Sequence, residues 1–158
     1  MLAELIFRWL HVIGATVLLG TGAGITFFMV AAVRTRDPAL IAHVTGSVVV
    51  ADFIFTATAV IAQPVTGVFL ALLTGWSLSE PWIIASLVLY GVTGAFWLPV
   101  VWIQARLRQL AQSAALNGEP LPDRFDTLYR IWFVFGFPAF AAVLTIVWLM
   151  ISRPPLWG

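Results

Sequence analysis

The chain has 158 residues, 61% hydrophobic and only 9% charged, against about 25% charged in ordinary soluble domains. It carries a formal charge of +1, all eight basic residues are arginine, and cysteine is absent, which excludes disulfides, iron–sulfur clusters and thiolate catalysis. The charges are sparse and fall at the ends of apolar runs, so no nucleic-acid partner is expected.

Long, mostly apolar runs recur along the chain, and each reads as a membrane-spanning helix. In chain order the spans fall at about 5–33, 46–73, 82–105 and 131–151. The expected fold is all-α, a polytopic four-helix up-down bundle in one membrane domain over residues 1–158. The first run, Trp9 to Val33, is too long for a signal-peptide core and ends at Arg34 without a small-residue cleavage site, so it reads as a retained helix.

Near the start of this helix stands His11. An imidazole in hydrocarbon with an unpaired donor or acceptor costs about 1–3 kcal/mol, so a neighbouring helix, a water-filled cavity, or a metal or haem iron must meet it. His11 shares a face with Gly14, Ala15, Leu18 and Gly22, small residues that let another backbone approach. Gly20-xxx-Gly24 lies on the opposite face and suits a homodimer contact.

The first connection, "RTRDPALIAH", holds Asp37-Pro38, a cap followed by proline at the first helical position. The second helix is therefore expected to start near residue 38, and Pro64 to kink it. Asp52, Thr56, Ala59, Gln63 and Thr66/Gly67 recur at helical spacing on one face of it. On the third helix Ser86, Tyr90, Thr93, Trp97, Gln104 and Arg108 do the same. Lipid cannot satisfy such groups, so the stripes are expected to turn inward. The third connection, "LNGEPLPDRFD", is the only stretch rich in loop residues.

A mid-span carboxylate is expensive unless paired or protonated. For Asp52 the expected arrangement is a structural Asp–Arg clamp. Arg106, Arg108, Arg130, Gln104 and Trp97 are the candidate partners, and proton handling is the sharper alternative. Six arginines flank the first and third connections, against Arg8 and Arg153 at the other end. That imbalance puts those connections in the cytoplasm and both termini on the outer, periplasmic side of a bacterial inner membrane.

Only two histidines exist, and counted along the helices His11 and His43 lie about 25–30 Å apart in depth. They cannot ligate one haem within a subunit. A single-histidine site remains, with His11 as the metal ligand facing Met150, and with Gln63, Ser86 and Tyr90 at similar depth. At the inner level His43 could meet Met29. Hydrolase chemistry has no support, because no Ser/His/Asp set shares a depth.

The segments "LHVIGATVLLGTGAG", "DFIFTATAVIAQPVTG", "FWLPVVWIQARL" and "YRIWFVFGFPAFAAVLTIVWLMISRPP" resemble the bacterial predicted integral membrane proteins grouped as domain of unknown function 2269. The resemblance covers essentially the whole chain and implies no established activity. The first-helix histidine with its glycine-rich sequel, and "YR…P…RP" in helix four, are more distantly similar to two families. These are the four-helix haem-binding membrane protoporphyrinogen oxidases and the membrane domain of CopD-type copper-resistance proteins. In the oxidases the first-helix histidine ligates haem, a role that would fall on His11. Their third-helix lysine, which follows a tryptophan, corresponds to Ser86 counting from Trp82, and this chain has no lysine.

The leading expectation is thus a haem b- or tetrapyrrole-binding, redox-associated membrane protein using His11. The alternatives are a non-catalytic accessory or scaffold subunit, as a homo-oligomer or within a larger membrane complex, and a small transporter or proton pathway. That pathway would use the polar interior of Asp52, Thr56, Gln63, Trp97, Gln104 and Arg130.

Overall fold

The apolar periodicity resolves into four helices in the computed structural model, which describes residues 1–157. They are α1 (Leu2–Thr35), α2 (Pro38–Thr74), α3 (Pro81–Asn117) and α4 (Asp123–Ser152), each long and apolar enough to cross a membrane. No strand occurs among the described residues. The helices outrun the expected spans. "RLRQLAQSAALN" has good helix formers, so α3 continues to Asn117, and only 118–122 of the third connection is turn.

Local chemistry sets the ends. The Asp37 carboxylate accepts from the backbone N–H groups of Ala39 (2.9 Å) and Leu40 (3.3 Å), with Pro38 at the first helical position as expected. Gly75 and Gly118 stop α2 and α3 in the left-handed region, at φ 76° and 68°. Each closes its helix with a pair of backbone bonds, such as Trp76 N–H to the Ala71 carbonyl (3.0 Å). The Arg36 guanidinium grips both carboxylate oxygens of Asp126 (2.6 and 3.1 Å), joining the α1–α2 connection to α4. This bond raises the pKa of Arg36 above its ordinary value.

Short connections force an antiparallel bundle, but it closes unevenly. The first half of α2 packs on α3, its second half on α1, and α3 packs extensively on α4. α1 and α4 touch only sparingly. At the arginine-rich end a core shared by all four helices includes Met29, Ile41, Leu107 and Phe125, each with no exposed surface. At the other end a smaller cluster joins Ala71, Trp82 and Ile83 with Trp76 and Met150, and the Arg153 guanidinium lies 5.3 Å from the Trp76 ring centre.

Two irregularities shape α2. Residues Asp52–Thr56 form one π-helical turn, in which Ala57 N–H bonds the Asp52 carbonyl. Pro64 lies inside the helix and cannot donate to the carbonyl of Val60. The Tyr90 hydroxyl of α3 donates to that carbonyl instead, so a neighbouring helix supplies the bond that proline removed.

α1 approaches α2 through glycine. A methyl group at Gly14 would collide with the Gln63 amide, whose Nε2 donates to the His11 carbonyl (2.8 Å). Gly20 and Gly24 face open space, with no part of the chain against them. Gly14→Ala should therefore destabilise the wild type by about 1 kcal/mol, the worth of one displaced hydrogen bond. In a Gln63→Ala background the same change should stabilise by about 0.5–1 kcal/mol through helix propensity. Thermal melting of the four proteins in detergent, followed by circular dichroism, measures this reversal of sign.

Candidate functional site

The polar stripes of α2 and α3 converge as their spacing implies. Asp52 is 4% exposed and both of its carboxylate oxygens accept hydrogen bonds. Trp97 Nε1 donates to Oδ1 at 3.3 Å. The Gln104 amide, turned so that its NH2 faces the carboxylate, donates to Oδ2 at 3.1 Å. In that orientation its carbonyl oxygen accepts from Trp132 Nε1 at 3.2 Å. Three helices thus meet through one carboxylate, one amide and two indoles.

The expected Asp–Arg clamp does not form. Two ion pairs exist among the described residues, Arg8–Glu4 and Arg36–Asp126, and neither involves Asp52. Arg108 lies against Gly46, Arg106 donates to Gln109, and Arg130 is exposed beside Arg34 and Asp126. Arg130 therefore does not belong to the polar interior. A guanidinium carries five donors and is strongly favoured at the aqueous interface, so the arginines reach outward and neutral N–H groups serve the carboxylate. Trp132 of α4 completes the network from outside the predicted stripes of α2 and α3. Its signal was chemical: a buried acid and amide without a cation need N–H donors, and indole is the apolar side chain that has one.

Beside this network lies an intramembrane cavity of about 510 Å³. Asp52, Thr56, Gln63, Tyr90, Trp97 and Gln104 supply its polar wall, and the rest is almost wholly apolar. The Thr56 hydroxyl is buried on this wall without a hydrogen-bond partner. Phe27 of α1 and Phe137 of α4 line the cavity yet are 68% and 63% exposed, so its mouth opens between these two helices toward lipid. Gly94 and Gly136 line it too, and a methyl group on either would meet nothing within 4 Å.

The remaining candidate residues are elsewhere. His11 is wedged between α1 and α2, where a methyl group on Gly67 would come within 3.1 Å of its Cε1. The Thr66 hydroxyl stands 2.7 Å from the Ala62 carbonyl and 2.9 Å from His11 Nδ1, so it ties the ring to the α2 backbone. Nδ1 of the imidazole is thereby engaged by α2. Met150 belongs to the aromatic cluster around Trp82, and Ser86 donates to the Trp82 carbonyl (2.7 Å). None of these three lines the cavity, whereas Gln63 and Tyr90 do. His43 is exposed, and it is Thr45 whose hydroxyl meets Met29. No group of three or more His, Asp or Glu side chains converges among the described residues.

Residues 5–154 match the model of a family described as predicted integral membrane protein (DUF2269). No match was found among curated proteins or solved structures.

Gln104→Leu should destabilise the fold by about 1–3 kcal/mol, because it strips a buried carboxylate oxygen and a buried indole N–H of their partner. Arg130→Gln should change stability by less than about 0.5 kcal/mol, as expected of an exposed side chain. The apparent melting temperatures of the two variants in detergent check this contrast.

Proposed function

The chain belongs to this family of predicted integral membrane proteins, and on that premise we propose that it binds a small lipid-soluble molecule carrying a hydroxyl group. The observation that carries the reading is the cavity's pairing of an apolar interior with one polar wall, reached from the bilayer through the α1–α4 mouth. Such a shape is the usual character of a small-molecule site.

The polar wall suggests the head-group chemistry. Each Asp52 oxygen receives one N–H and retains a lone pair, and Thr56, one helical turn on, sets its hydroxyl beside the same carboxylate. A ligand hydroxyl answers this wall by donating to the carboxylate, with the threonine hydroxyl beside it. Both residues lie in the π-helical turn, and such turns are frequent at functional sites. Orientation follows the arginine imbalance: the α1–α2 and α3–α4 connections lie in the cytoplasm of a bacterial cell, and both termini lie outside the inner membrane.

A matched pair of probes tests the reading, a short-chain quinol and its dimethyl ether, titrated into purified protein by calorimetry. The quinol should bind about tenfold more tightly, the worth of one to two hydrogen bonds. Thr56→Val should remove about fivefold of that preference. Gly136→Leu should abolish binding of both probes while the melting temperature holds, since its Cβ meets nothing within 4 Å and the residue lines the cavity. Equal affinity for quinol and ether would rule out the hydroxyl assignment.

A second reading, haem ligation by His11, is favoured by one observation, the 2.9 Å contact that engages Nδ1 with the Thr66 hydroxyl. A partner on Nδ1 that leaves Nε2 as the free ligand atom is how haem and metal sites orient an imidazole. It ranks second because the ring stands outside the cavity wall. Purified protein from cells supplied with haem should then show a Soret band that His11→Ala removes, and a featureless spectrum eliminates this reading.

A further inference from the structure

A second depression lies at the arginine-rich end of the α1–α4 seam, apart from the Asp52 wall. It is a shallow furrow of about 420 Å³ lined by Arg34, Arg36, Asp126, Tyr129 and Arg130 above an apolar strip of Val30, Val33 and Phe133. Asp126 is engaged by Arg36 through two hydrogen bonds. Neither Arg34 nor Arg130 has a carboxylate within ion-pairing distance among the described residues, and both are exposed. The furrow therefore holds a surplus of two positive charges at the depth where a spanning helix leaves the hydrocarbon.

We propose that this furrow binds the head group of an anionic phospholipid, with Arg34 and Arg130 on the phosphate and the acyl chains against Val30, Val33 and Phe133. Charge and polarity match such a molecule along one line: cationic at the membrane surface, apolar immediately below. Arginine suits the phosphate because its planar fork can donate two parallel bonds. The strip does not end at the furrow, because Phe133 also lines the cavity. An acyl chain lying there passes the cavity mouth, and the apolar strip distinguishes a lipid from a free phosphate ion. The charged end of the furrow is apart from the Asp52 wall, and no residue of that wall lines it.

The test uses the full-length protein in a neutral detergent, with thermal melting as the readout. Added dioleoyl phosphatidylglycerol should raise the melting temperature saturably by several degrees. Dioleoyl phosphatidylcholine, or inorganic phosphate at millimolar concentration, should leave it unchanged. Arg34→Gln/Arg130→Gln should remove the phosphatidylglycerol effect, while Arg106→Gln/Arg108→Gln, which deletes the same charge outside the furrow, should keep it. Equal responses to the two lipids in the wild type would overturn the proposal without recourse to any variant. So would an undiminished response in Arg34→Gln/Arg130→Gln, or an equal loss in the control pair. Stabilisation by phosphate alone would overturn the lipid assignment in favour of a free anion.

Discussion

A carboxylate held inside a membrane bundle by neutral donors is the constraint around which this protein is organised. Asp52 lies deep in α2, and no arginine reaches it. Its oxygens are served by Trp97 and Gln104 of α3, and Gln104 in turn takes the indole proton of Trp132 on α4. Hydrocarbon offers no substitute for any of these bonds, so the positions of three helices are fixed relative to one another. The α2–α3–α4 side of the bundle is thereby specified by a directional network as well as by packing. α1 joins on different terms, through the Gln63–His11 and His11–Thr66 bonds to α2 and a glycine contact. The weak α1–α4 seam is the remainder left by these two modes of attachment.

Proline and glycine have particular uses here. Pro64 frees a backbone carbonyl in mid-helix, and the freed group becomes the attachment point for Tyr90. This bond crosses from α2 to α3 beside the cavity, where the two backbones have begun to part. Gly14 does the reverse, removing side-chain volume so that an amide can reach the α1 backbone. At Gly94 and Gly136 the missing side chain is left as empty space. The cavity is thus partly made of side chains that the sequence omits.

Much of this was legible beforehand, for identifiable reasons. Helical periodicity placed Asp52, Thr56, Ala59, Gln63 and Thr66 on one face, and all five are buried. Asp37-Pro38 located the start of α2 because capping is local chemistry. Trp97 and Gln104 are candidate partners of Asp52 by depth, counted along the helices, and both do bond it. The arginine clamp failed because proximity in sequence depth says nothing of where a long cation prefers to put its charge. The π-helical turn was invisible, since it is a tertiary accommodation without a residue signature. Trp132 was hidden among eight tryptophans. The seam could not be read either, because it is a contact that two helices decline to make.

The two ends of the seam differ in how they are fastened. Arg36 and Asp126 pin the connection after α1 to the first turn of α4, over a core shared by all four helices. Beyond the cavity α1 is held to α2 alone, by the Phe7–Phe69 stack and the His11–Thr66 bond, while α4 joins the cluster around Trp82. The fastening is that of a clothes peg, sprung at one end. Whatever parts these two helices is therefore resisted at the arginine-rich end and not at the other.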